Sequence, residues 1–174
     1  ISGIDYAINN SASIISMSFS SLSPSAAFID VMTTAHNNGI VLVASAGNDN
    51  LNIPAYPAAY TEVIGVAGSD FNDLRYANTN YGSWIDISAP AKQLYTTTFS
   101  GNYGFRQGTS LSAPVVAGVA GLILSKNPTL TKAQVEQIIL NNADPMPNEP
   151  LYVQGLMGSG RVNAHRALMA TPRL

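Results

Sequence analysis

Cysteine is absent from the 174 residues. Its absence excludes disulfides, thiolate-bound zinc and a thiol nucleophile, but it fixes no compartment, because secreted proteins also do without disulfides. Charge is scarce as well: charged residues make up 10% of the chain, against roughly 25% in ordinary soluble domains. A formal net charge of −2 gives no basic surface for nucleic acid or for an acidic membrane. No run reaches the about 18 consecutive apolar residues of a membrane span, and no segment reads as a signal peptide. The chain starts at Ile1 without an initiator Met and is read as a piece of a longer protein.

What is present is apolar mass. Hydrophobic residues reach 46%, enough for a packed core and incompatible with a disordered chain. The length fits one domain. Ser, Thr and Asn supply the polarity, which hydrogen-bonds without ionising.

Short apolar runs rich in branched residues, Ile14–Phe19, Ile40–Ala46 and Val63–Ala67, read as strands buried on both faces of a parallel sheet. Helical patterns lie between and after them. Ser25–Asn38 ends at Gly39, which suits a left-handed C′ position. Ser110–Lys126 is small or apolar nearly all round and predicts a buried helix. Thr131–Asn141 opens with a Thr131/Gln134 capping box, and a last helix is predicted over Asn163–Ala170. Ser69–Ser88 is polar and turn-rich, read as surface loops and short strands. Alternating strands and helices give an α/β protein with a mainly parallel sheet and no internal linker.

The segment carrying most chemistry is Gly108-Thr109-Ser110-Leu111-Ser112-Ala113-Pro114. A serine here opens a long helix whose unpaired N–H groups and positive dipole end favour an anion. Such an anion forms when a hydroxyl attacks a carbonyl. Gly108 permits close backbone approach. Pro114 cannot donate to the Ser110 carbonyl, so an irregular first turn is expected. From the residues alone, an ordinary Ser/Thr helix cap is the commoner reading, since caps far outnumber nucleophiles.

The segment closely resembles the serine motif of the subtilisin-like peptidases, with Ser110 on the nucleophile and Val115 where the family usually has His. Val41-Leu42-Val43-Ala44-Ser45-Ala46-Gly47-Asn48 resembles that family's strand ending in Ala-Ala-Gly-Asn. The resemblance implies that the Asn48 amide and the Ser110 N–H form an oxyanion hole. Ile15-Ser16-Met17-Ser18-Phe19-Ser20 resembles the strand that pairs with extended substrate. Ser18, Phe19 and Ser20 are thereby implied as one wall of a primary specificity pocket. The same resemblance implies that Ala44, Ser45, Ala46 and Gly47 form the other wall and that Gly108 and Thr109 shape the site. Phe19 and Ser20 are bulkier than the usual Leu and Gly. Tyr56-Pro57 is implied to be cis, and Gly158–Ala164 resembles the family's entry to its last helix.

The resemblance implies a subtilisin-like three-layer fold and a serine endopeptidase acting through an acyl-enzyme. It also implies that this chain is the C-terminal portion of one catalytic domain, its N-terminal strands missing. The family's triad runs Asp, His, Ser along the chain. No Asp-(Thr/Ser)-Gly or His-Gly-Thr-His occurs here. Of the two histidines, His36 and His165 read as surface or helix-end residues. Asp49 maps to the pocket rim. Asp86 lies near a weak cation site of some members and reads as a solvated loop residue.

The expected partners are an N-terminal segment of the same peptidase bearing Asp and His, and an extended peptide or protein substrate. Nucleic acid and membrane are not among them. No cofactor is required and no metal ligand is assigned; structural calcium stays open. Secretion follows from the family alone. The alternatives are an inert pseudo-peptidase or extended-peptide-binding module, and a domain fragment with no function of its own.

Overall fold

The computed structural model describes residues 1–174, the side chain of Ser100 excepted. After helix α1 (Ser2–Asn9), four parallel strands stand in sequence order: β1 (Ile14–Met17), β2 (Val41–Ser45), β3 (Ile64–Ser69) and β4 (Ile87–Pro90). Helix α2 (Ala26–Asn37) crosses from β1 to β2. An antiparallel hairpin, β5 (Leu94–Thr97) and β6 (Tyr103–Arg106), leads into α3 (Thr109–Lys126). Helices α4 (Lys132–Asn141), α5 (Pro150–Val153) and α6 (Ala164–Ala170) complete the chain.

The strand period of two explains the layers. Val41 and Val43 of β2 and Ile64 and Val66 of β3 face one core with Val116, Ala120 and Ile123 of α3 and Ile139 of α4. Leu42 and Ala44 face the opposite core with Ile4, Met32 and Ala35 of α1 and α2. Both faces of the sheet are covered, so the central strands read as continuous apolar runs. Local signals act where the residues predict them. Gly39 sits at φ +79°, with its N–H on His36 and the Ile40 N–H on Ala35, which is a Schellman end. Thr131 and Gln134 make the reciprocal capping box of α4. Asn163 caps α6 by accepting the Arg166 N–H at 2.9 Å.

Three expectations change. Strand β1 stops at Met17, and Ser18–Ser20 continue beyond it without ladder bonds, held instead by side-chain and loop contacts. The Ser69–Ser88 stretch is not all surface: Thr79, Asn80 and Ser88 are fully buried. Helix α3 starts at Thr109 and is buried on one side only. Thr109, Ser112, Ala113, Val116, Val119, Ala120 and Ile123 face the sheet, whereas Pro114, Gly118 and Leu122 are exposed. Its apolar surface exceeds what one sheet face covers.

Candidate active site

The C-terminal ends of β1 and β2 meet the N-terminus of α3. Parallel strands deliver their following loops to one edge, and here those loops carry Ser18–Ser20 and Gly47–Asn48. Gly108 has φ +128°, a conformation glycine tolerates and other residues rarely adopt. A Cβ there would stand 3.3 Å from Asn48 Oδ1. Gly108 thus turns the chain into α3 directly against Asn48.

Thr109 then ties the two segments. Its backbone N–H donates to Asn48 Oδ1 at 2.9 Å, and its hydroxyl lies 3.2 Å from the same oxygen. The hydroxyl also accepts the Gly47 N–H at 3.2 Å. Thr109 is fully buried, whereas Asn48 and Ser110 are exposed. Oδ1 is engaged while Asn48 is exposed, and among the described residues its amide nitrogen donates to nothing. Ser110 follows as the second residue of α3, where backbone N–H groups lack helical partners. Ser112 anchors the same turn by donating to the Ala89 and Pro90 carbonyls at 3.2 and 3.0 Å.

The helix continues through Pro114. The Ser110 carbonyl, which a proline at that position leaves without a helical donor, accepts the Ser18 hydroxyl at 2.8 Å. Ser18 therefore reaches the serine turn itself. Ser20 approaches the other segment: its Oγ is 3.3 Å from where a Gly47 Cβ would lie. Phe19 turns away and packs edge-on against Phe28 at 6.1 Å. It borders a cavity of about 260 Å³ with Ser20, Phe28, Tyr56, Pro57 and Tyr60. Ser21 pairs with Tyr56 through two 2.8 Å backbone bonds, and Tyr56-Pro57 is cis. Ala44, Ser45, Ala46 and Gly47 are all buried beneath the site.

The structure thus brings Ser18, Ser20, Gly47, Asn48, Gly108, Thr109 and Ser110 together and keeps other candidates apart. His36 is half-buried near the end of α2, beside Thr129 and Lys132; His165 is exposed on α6. Asp86 is not a solvated loop residue. It is half-buried and accepts the Gly65 N–H at 2.7 Å; burial pushes its carboxyl above the ordinary 3.8, with that bond opposing. Asn80 was not legible as a site residue. It lies in a polar, turn-rich stretch, and only the folded chain places it under the Asn48 loop.

Fold and site together define a three-layer α/β protein with a helix-opening serine beside an exposed asparagine whose amide nitrogen is unengaged among the described residues, where parallel strands end. The Subtilase family model matches residues 1–160. The chain is 40% identical over 159 residues to the thermostable alkaline protease of Halalkalibacterium halodurans, covering 91% of this chain and 44% of that protein. It is 36% identical over 166 residues to thermitase of Thermoactinomyces vulgaris, covering 95% and 57% respectively. A solved protease from Pseudoalteromonas arctica matches with a TM-score of 0.83 at 33% identity, over 92% of this chain and 52% of that one. The chain belongs to the subtilase family. It spans about half the length of the curated relatives it matches.

Proposed function

We propose that this chain supplies the nucleophile and oxyanion donors of a serine endopeptidase. Ser110 Oγ attacks the scissile carbonyl carbon, and its proton passes to a His oriented by an Asp, both outside this chain. The carbonyl oxygen becomes an anion received by the Asn48 amide and the Ser110 N–H. Collapse breaks the C–N bond, the His returns the proton to the leaving amine, and water then releases the acyl group from Ser110. No step calls for a cofactor.

The observation carrying this reading is the double engagement of Asn48 Oδ1 by Thr109. A cap or turn asparagine has no need of it; a neutral donor preorganised for an oxyanion does. The proteases named among the relatives support the same reaction class. Ser18–Ser20 and Ala44–Gly47 are proposed to line the subsites of an extended peptide, which adds main-chain bonds to a strand and side chains to pockets.

Competence is proposed to need a segment bearing the Asp and His. Two surfaces support such a neighbour. Strand β1 pairs only with β2, and its other edge is unpaired among the described residues. Pro114, Gly118 and Leu122 of α3 form an exposed stripe on the same molecule. An extracellular setting is proposed from the relatives alone.

The test is intact-mass analysis after exposure to a fluorophosphonate probe. The isolated 174-residue chain and the whole peptidase containing it are labelled in parallel. An adduct on Ser110 in the whole peptidase, absent from the isolated chain and from a Ser110→Ala variant, is the expected result. No adduct in either would overturn the peptidase reading in favour of a peptide-binding module.

A further inference from the structure

Asn80 is fully buried, and every hydrogen-bonding position of its side chain is spent on one loop. Its Oδ1 accepts the N–H groups of Asp49 and Leu51, each at 3.0 Å. Its Nδ2 donates to the Ala46 carbonyl at 3.0 Å and lies 3.4 Å from Asp49 Oδ2. Its own backbone N–H donates to the Gly47 carbonyl at 3.0 Å. Adjacent bonds extend the clamp: Asn50 N–H to the Asn78 carbonyl at 2.9 Å, and Tyr81 N–H to the Leu51 carbonyl at 3.1 Å.

These bonds reach residues 46, 47, 49, 50 and 51, and they leave out the backbone of Asn48. The loop is gripped on both sides of Asn48, the residue whose Oδ1 Thr109 engages. The fit is close: Gly47 has φ +95°, and a Cβ on it would come within 2.5 Å of Asn80 Nδ2. Thr109 holds the Asn48 side chain from above, so the Asn48 backbone needs support from below. A buried amide offers two donors and two acceptors without introducing a charge that would compete with an oxyanion.

We propose that Asn80 is a positioning residue for the oxyanion site, holding the Asn48 loop so that the side-chain amide stays aimed at the developing charge. The proposal rests on the reading of Asn48 as an oxyanion donor. It implies a loss at the transition state rather than in ground-state binding, because the oxyanion exists only there.

The test uses the whole peptidase with Asn80→Ala, Asn80→Asp, Asn48→Ala and the Asn80→Ala/Asn48→Ala pair. In each, kcat, KM and Tm are measured, with active protein counted by fluorophosphonate titration run to completion. Asn80→Ala is expected to lower kcat about tenfold or more while KM changes less than about twofold. In the Asn48→Ala background the same substitution should cost no further kcat, since the group it positions is gone. Independent, additive losses would overturn the proposal. Asn80→Asp preserves size and the two accepted bonds but loses donation to Ala46, so it decides the matter should Asn80→Ala not fold. Reduced kcat per active site is expected there, together with a lower Tm, because the new carboxylate oxygen faces the Ala46 carbonyl and the Asp49 carboxylate; unchanged kcat overturns the proposal. Full turnover in Asn48→Ala would overturn the underlying reading of the site instead.

Discussion

The Ser18 hydroxyl donates to the Ser110 carbonyl at 2.8 Å, across 92 positions of sequence. That carbonyl is the one Pro114 cannot serve, because proline has no N–H to close the i to i−4 bond. A side chain from the strand-β1 loop thus replaces a helical donor in the turn that carries the nucleophile candidate. Ser18→Ala should cost about 1 kcal/mol or less, the net worth of one hydrogen bond at an exposed position. Adding Pro114→Ala should return most of it, since an alanine at that position offers the missing N–H. Urea midpoints of the two variants, at constant m, check this; equal losses in both would break the assigned link.

The halves of this relationship differ in legibility. Pro114 and its consequence for the Ser110 carbonyl follow from spacing alone. That Ser18 supplies the replacement depends on where β1 ends, and propensity does not set that boundary: Ile14–Phe19 is apolar and branched to its end, yet pairing stops at Met17. The central strands and the caps at Gly39 and Thr131 were legible because each is a short-range signal. The β5–β6 hairpin was not: it lacks an Asn-Gly turn, and its aromatic face, with Tyr95, Tyr103 and Phe105, is the exposed one rather than a core-facing one. Asn80 was not legible either, since nothing local marks a loop asparagine as buried.

Thr109 offers a sharper probe of the site than Asn48 itself. Thr109→Val keeps the shape but removes the hydroxyl that accepts the Gly47 N–H and meets Asn48 Oδ1. An unpaired buried N–H costs about 1–3 kcal/mol. The Asn48 amide would keep one tether, the Thr109 backbone N–H at 2.9 Å. Turnover of the whole peptidase should therefore fall, but by less than in Asn48→Ala. For the latter about 10²- to 10³-fold is expected, a magnitude taken from subtilisin's own oxyanion asparagine. Steady-state kcat of the two variants orders them; a larger loss for Thr109→Val would mean Thr109 has another role.

Asp86 carries a cost that a neutral side chain would avoid. Burial raises its carboxyl above 3.8, and the Gly65 N–H only partly offsets this. The folded state then binds the proton more tightly than the unfolded state. Stability contributed by this group is lost as pH rises through the interval above 3.8. Asp86→Asn retains an oxygen acceptor for Gly65 without the charge. It should raise Tm near pH ~7 and flatten the Tm–pH curve just above 3.8. A lower Tm at neutral pH would mean the charge is used by a partner.

Asp144 shows the opposite sign. Its Oδ2 accepts from Arg161 at 2.8 Å and from Asn163 at 2.9 Å, and its Oδ1 accepts from Asn163 at 3.0 Å and Arg166 at 3.3 Å. The Arg161 bond first, then Asn163 and Arg166, hold its carboxyl below 3.8 against a smaller desolvation penalty. A depressed folded value means stability that is fully present above 3.8 and lost as pH falls through the folded value. The group joins the chain after α4 to the start of α6, where Asp144 and Arg161 also exchange backbone bonds at 2.7 and 2.8 Å. Acidification below pH ~4 should therefore loosen the C-terminal helices first. Asp144→Asn should lower Tm at neutral pH, and its curve should converge with the parent's in strong acid, where the parent carboxylate is neutral too. Arg161 is shared with Asp73 at 2.7 Å, so Asp73→Asn should lower Tm less and leave most of the acid dependence in place. Parallel Tm–pH curves for Asp144→Asn and the parent would show that the acid sensitivity belongs to another carboxylate.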